Sequence, residues 1–111
     1  MELPDIPQRD VNPNEVLRCV AQSYLVSIEH LLGTGRLKHI AEARQVSYWL
    51  LRTRTSMSFP EIGRVLGKDH TTVMAGVSRI VRRRANEPSF GAFTDKLAEA
   101  VEARLRKEVA A

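Results

Sequence analysis

A chain of 111 residues with 43% hydrophobic content can bury one ordinary core and is too short for two domains of typical size. No run approaches the roughly 18 consecutive apolar residues of a membrane span, and the opening MELPDIPQRD lacks the basic and then apolar run of a signal peptide, so a cytoplasmic protein without a membrane partner is expected. The net charge of +4 is unevenly placed: residues 34–84 hold eleven Lys and Arg against three Asp and Glu, a net +8 that suits phosphate, and the remainder is acidic.

Residues 1–11 read as an N-terminal lead. Asn12-Pro13-Asn14-Glu15 then starts a helix, with Asn12 as N-cap, Pro13 at the first helical position and Glu15 reaching back to the cap, and with Val11 and Val16 as a hydrophobic staple. Val16, Leu17, Val20, Ala21 and Tyr24 follow at helical spacing, and Cys19 falls in the same apolar pattern as a buried, inert thiol. Ser27 with Glu29 opens a short second helix that ends at Gly33. Beyond the Gly33-Thr34-Gly35 loop and Arg36-Leu37-Lys38-His39, the inward stripe Ile40, Ala43, Ser47, Leu50 and Leu51 marks a third helix over residues 40–54, with Trp49 partly buried.

Ser58-Phe59-Pro60-Glu61 has the S-x-x-E form of a capping box, and Met57 with Ile62 supplies its staple. That helix is short, because Gly67 and Lys68 come one turn after Gly63; Asp69 then caps a new helix that opens on His70-Thr71-Thr72. Two helices meeting at a tight turn predict a helix-turn-helix over residues 58–83. In its second helix Val73, Val77, Ile80 and Val81 share the inward face, and His70, Thr71, Thr72, Ala75, Ser78, Arg79 and Arg82 point outward. Short hydrogen-bonding and methyl-bearing side chains at a helix N-terminus, backed by positive charge, fit the edges and phosphates of a DNA major groove; an amphipathic surface helix with a polar outer face has the same pattern.

Ala43-Arg44-Gln45, Ser58-Phe59-Pro60-Glu61-Ile62-Gly63 and Asp69-His70-Thr71-Thr72-Val73 stand in order and near the spacing of the C-terminal DNA-binding domain of the bacterial replication initiator DnaA, which the chain resembles over about residues 12–83. The resemblance implies that Asp69, His70, Thr71 and Thr72 read base edges in the major groove, with Pro60 beside the groove. It further implies that Arg36, accompanied by Lys38, enters the adjacent minor groove, and it adds Arg44 to the DNA-binding set. Lys68, Arg79 and Arg82 complete that set as phosphate contacts. The chain departs from the family at Thr34, Gly35 and Glu42, which are commonly basic there, and at Gly76 and Ser78, which are more often alanine and arginine; Gly76 carries a cost of about 1 kcal/mol against alanine.

After the Glu87-Pro88-Ser89 break, Phe90, Phe93, Leu97, Val101 and Leu105 recur at helical spacing and predict an amphipathic C-terminal helix. Its apolar face either packs back on the domain or docks a partner, the initiator or a second copy; Glu102 and Arg106 read as an exposed pair. The division is therefore a lead over 1–11, a helix-turn-helix domain over 12–86 and an added helix over 87–111, all-α throughout. No G-x-x-x-x-G-K-[ST] phosphate loop is present, and the chain opens on Met1, so it reads as a stand-alone relative without the ATPase module. His30, His39 and His70 are too dispersed for a metal cluster, and no nucleophile motif occurs; no catalytic residue, metal or cofactor is assigned. Two functions remain: sequence-specific binding of double-stranded DNA at initiator-box-like sites, regulating replication initiation or transcription on the nucleoid, or a regulator that acts by protein contact with weak DNA binding.

Overall fold

The structure, a computed structural model, describes residues 12–110, with side chains through residue 107. Six helices follow one another: α1 (Pro13–Tyr24), α2 (Ile28–Leu32), α3 (Lys38–Arg54), α4 (Phe59–Leu66), α5 (His70–Asn86) and α6 (Pro88–Ala110), with no strand among the described residues. The expected lead and the Val11 staple lie outside the described residues.

Most of these helices start where a short polar side chain precedes an apolar repeat. Asn12 Oδ1 accepts the Asn14 amide at 2.9 Å, Ser27 Oγ accepts that of His30 at 3.1 Å, and the Ser58/Glu61 box closes in both directions at 3.2 and 3.0 Å. Glu15 differs from expectation, because its carboxylate turns away from the α1 cap to Arg18 at 2.7 Å and to Arg104 of α6 at 2.6 Å. Two charge-assisted bonds outweigh one neutral amide. The third helix begins at Lys38, two residues before the expected Ile40, and Leu37 at its cap offers no side-chain acceptor.

Helix α3 runs through the centre, and its buried residues include Ile40, Ala43, Val46, Ser47, Tyr48, Leu50 and Leu51. Trp49, expected to be partly buried, is also buried, since the guanidiniums of Arg54 and Arg84 lie 5.3 and 4.6 Å from its ring and complete its enclosure. Cys19 is buried in the core formed by α1, α3 and α6.

Close backbone approach fixes the helix-turn-helix. Gly67 ends α4 in a left-handed conformation at φ 66°, and a Cβ on Gly63 would lie 2.4 Å from the Lys68 carbonyl oxygen. Gly76 plays the same part between α5 and α3, where a Cβ would meet Tyr48 Cδ2 at 2.6 Å. Its local cost in helix propensity is therefore the condition for packing α5 against a buried ring. Val73 and Ile80 are buried and Val77 is partly so, but Val81 is 52% exposed, contrary to expectation. One residue past Ile80 turns the side chain by about 100°, and Arg84 takes the inward place instead.

The apolar face of α6 returns to the chain's own core: Phe90, Leu97, Ala98, Val101 and Leu105 are buried with α1, α3 and α5. Phe93 is at the rim, 39% exposed, with its ring edge-on to Tyr24 at 5.6 Å. Glu102 does not pair with Arg106 as expected; Arg54 Nε lies 2.7 Å from its carboxylate, close enough for an ion pair although the N–H is poorly aimed. Arg84 bonds the Gly91 carbonyl at 3.0 Å and Asp95 at 2.8 Å, which ties α5 to α6.

Glu42 of α3 joins three helices. It accepts the Tyr24 hydroxyl at 2.6 Å and a bond from Arg83, which also reaches Glu87 at 2.7 Å and lies 3.8 Å over the Phe90 ring. Burial alone would raise the Glu42 carboxyl, but the bonds from Tyr24 and Arg83, with the charges of Arg83 and Lys38, hold it below the usual range. Burial and the bond to Glu42 push the Tyr24 hydroxyl up.

Two measurements follow from this packing. Because the folded-state pKa of Glu42 is depressed, its stabilisation is complete above an unfolded-state value of about 4.3 and is lost as pH falls through the folded value. Glu42→Gln should therefore lower stability by about 1–2 kcal/mol at neutral pH, with Arg83's exposure limiting the loss, and should flatten the acid limb. Urea midpoints that ran parallel for parent and variant from neutral pH down to the acid limb would contradict the role given to this carboxylate. Gly63→Ala should cost about 1–3 kcal/mol, because the turn backbone must move; Gly35→Ala, whose Cβ would meet nothing within 4 Å, should leave the thermal midpoint unchanged.

Candidate nucleic-acid interface

The first turn of α5 is built by its own cap. Asp69 Oδ1 accepts the Thr71 amide at 2.8 Å and the Thr71 hydroxyl at 2.6 Å, and those two bonds hold the Asp69 carboxyl below its usual range. Asp69 Oδ2 accepts nothing among the described residues, so one carboxylate oxygen stays available outward. His70, Thr71 and Thr72 are exposed, with the His70 ring 3.6 Å from Asp69. Since the Thr71 hydroxyl donates inward, the threonine presents its methyl and remaining lone pairs. Pro60 is exposed in the first turn of α4.

The eleven central cations fall into two groups. Six serve the fold: Arg44, Arg52 and Lys68 donate to backbone carbonyls, and Arg54, Arg83 and Arg84 pair with carboxylates. Arg36, Lys38, Arg64, Arg79 and Arg82 are exposed and form no ion pair among the described residues. The cations left for a partner are therefore fewer than the eleven of the sequence. Arg44 is placed differently from expectation: it is 9% exposed, and its Nε, Nη1 and Nη2 donate to Leu31 O, Gly35 O and His30 O at 2.9, 3.2 and 2.9 Å. Lys68 Nζ is likewise engaged, 2.9 Å from Gly33 O.

Between α3 and α5 lies an open groove of about 330 Å³, lined by Gln45, Tyr48, Lys68, Thr72, Gly76 and Arg79 among others. A second depression of about 290 Å³ continues it past Lys38, Gln45 and Arg79. Sequence reasoning gave Gln45 no part, although Ala41, Gln45 and Tyr48 recur at four and three residues on one side of α3. It also passed over Met74, which is 44% exposed on the outward side of α5. The N-terminus of α3 adds to the positive field, because it lacks a side-chain cap and carries Lys38 and His39 in its first turn without an acid. Among the described residues no helix is long and apolar enough to cross a membrane, and no group of three His, Cys, Asp or Glu could hold a metal ion.

Residues 13–80 match the family described as Bacterial dnaA protein helix-turn-helix. Three curated relatives, each named Chromosomal replication initiator protein DnaA, show how far the similarity runs. The protein of Deinococcus radiodurans is 36% identical over 88% of this chain and 21% of its own length. That of Rippkaea orientalis is 35% identical over 95% and 23%, and that of Roseiflexus castenholzii 42% identical over 99% and 20%. The chain thus spans about a fifth of the length of these relatives. With the capped short helix, the glycine turn and the Asp69-His70-Thr71-Thr72 opening of α5 all in place, the chain belongs to the bacterial DnaA helix-turn-helix family.

Proposed function

We propose that this domain binds double-stranded DNA sequence-specifically at initiator-box-like sites, as part of the control of replication initiation or of transcription on the nucleoid. The observation that carries this reading is the exposed first turn of α5, pre-shaped by Asp69 and accompanied by cations that no carboxylate neutralises. The family and the name borne by the relatives support the same direction. In this reading α5 enters the major groove: the free Asp69 oxygen accepts a cytosine amino group, the Thr71 methyl meets a thymine methyl, and His70 and Thr72 reach a base edge or a neighbouring phosphate. Arg36 enters the adjacent minor groove with Lys38 beside it, and Arg79 and Arg82 hold phosphates.

The competing reading, a regulator acting by protein contact, draws on the non-basic Thr34, Gly35 and Glu42 and on the apolar face of α6. That face is consumed by the chain's own core, so the feature that favoured a docked initiator or a second copy is no longer on the surface.

Binding measured by fluorescence anisotropy should weaken steeply with salt. Five free cations give a slope of log K against log salt no steeper than about −4.5, whereas all eleven would give about −10. A flat response rules out the phosphate contacts. On a preferred and a scrambled duplex, His70→Ala and Thr71→Ala should narrow the difference in affinity by about 1–3 kcal/mol, while Arg82→Ala should weaken both duplexes alike and shallow the slope by about one. Equal losses on both duplexes for His70→Ala and Thr71→Ala would turn the assignment of α5 aside in favour of protein contact.

A further inference from the structure

The segment that carries Arg36 has little apolar substance of its own. It consists of Gly33, Thr34, Gly35, Arg36 and Leu37, with Leu32 before it 42% exposed and Leu37 64% exposed. Helix α2, which leads into it, has five residues, too few to persist without outside support. A segment of this composition would sample many conformations unless polar bonds held it.

Four of its carbonyls, or those of the α2 end, are held by two cations. Arg44 binds His30 O, Leu31 O and Gly35 O, and Lys68 binds Gly33 O from the far side. The two come from different supports: Arg44 projects from the middle of α3, and Lys68 sits in the turn between α4 and α5 that Gly63 and Gly67 fix. His30 O and Leu31 O belong to the last turn of α2, where helix carbonyls lack partners and the dipole favours a cation. The nearly buried guanidinium needs acceptors as much as those carbonyls need donors, so each satisfies the other. A lysine at position 44 keeps the charge but has no planar fork to reach three carbonyls at once.

We propose that Arg44 and Lys68 are positioning residues that clamp residues 33–37 to the helix-turn-helix, so that Arg36 and the first turn of α5 meet DNA as one rigid head. The inference rests on the DNA-binding reading above and deepens it. A loop ordered before binding spares the complex the entropy of ordering it, so the contribution of Arg36 to affinity depends on the clamp. Lys68 then acts on DNA through Arg36, in contrast to the phosphate contact expected from sequence.

The test is a double-mutant cycle on the full chain, with a duplex whose flank is A·T-rich. Lys68→Met removes the ammonium and keeps the half-buried stem, so folding is not at stake. Arg36→Ala should weaken binding about tenfold, and Lys68→Met should weaken it measurably in the parent. In the Arg36→Ala background Lys68→Met should change affinity by less than about twofold and leave the salt slope unaltered. Without DNA, amide hydrogen exchange over residues 34–37 should quicken in Lys68→Met while that of α5 stays the same, and Arg44→Lys should quicken it further. Losses that multiply across the cycle, with the slope falling by about one on removing Lys68, make Lys68 a phosphate contact and overturn the clamp while leaving the DNA-binding reading intact. Unchanged exchange in both clamp variants overturns it also. An Arg36→Ala variant that binds like the parent defeats the placement of Arg36 in the groove and the clamp together.

Discussion

A guanidinium that is nine-tenths buried cannot be left without acceptors, and the outer surface of this domain is arranged around that constraint. Arg44 occupies the middle of α3, among residues that are otherwise apolar or self-satisfied. Its desolvation is offset only by carbonyls that a helix interior cannot supply, so the chain brings the end of α2 and the following glycine loop to it. The basic loop thus derives its shape from a charge beneath it. Replacing Arg44 by an apolar residue of similar size would leave those carbonyls unpaired under a loop with no hydrophobic anchor, which is why a central helix of a small α-helical domain retains a buried cation.

The same economy governs the other arginines. A strongly basic segment repels itself unless its charges are distributed, and here more than half of the central cations bond a carbonyl or pair with a carboxylate. Glu42 shows the balance at one residue. It holds Arg83 and Tyr24 and joins α1, α3 and α5. A base there would lose the acceptor of a half-buried hydroxyl and set two like charges side by side. The departure at Glu42 is, in structure, a hydrogen-bonded junction of the fold.

What the sequence shows plainly is what is decided within one turn of chain. Ser27, Ser58 with Glu61, Asp69 and Gly67 act on neighbours two to four residues away, so their spacing carries their role, and the helix boundaries follow. The apolar repeats of α1, α3 and α6 were legible for the same reason. Pairings across the fold were not: Glu15 with Arg104, Glu102 with Arg54 and Glu42 with Arg83 join residues whose separation says nothing of their contact. For Glu15 and Glu102 a local partner suggested by spacing gave way to a distant one. The candidate interface divides in the same way. Asp69, His70, Thr71 and Thr72 are marked by position at a capped N-terminus, whereas an arginine left exposed and one bonded to a carbonyl look alike until the fold is known.

That division also explains why so many side chains gather at the end of α5 remote from its exposed first turn. A helix of 17 residues is about 25 Å long. Its first turn is held only from behind, through Val73, Gly76 and the turn that Gly63 and Gly67 fix, and its outward side stays exposed. Orientation is also set from the other end, where a tilt of about 10° would carry the first turn by about 4 Å, more than the tolerance of a hydrogen bond. Arg83 and Arg84 restrain that tilt in two directions, one towards Glu42 and the Phe90 ring, the other towards Trp49, Gly91 and Asp95. Helix α6 supplies most of those partners, and its buried Phe90, Leu97, Val101 and Leu105, each worth about 1.5–3 kcal/mol when withdrawn from water, keep it seated. The C-terminal helix therefore bears on the candidate interface without touching it: it gives α5 a fixed base from which its first turn is held.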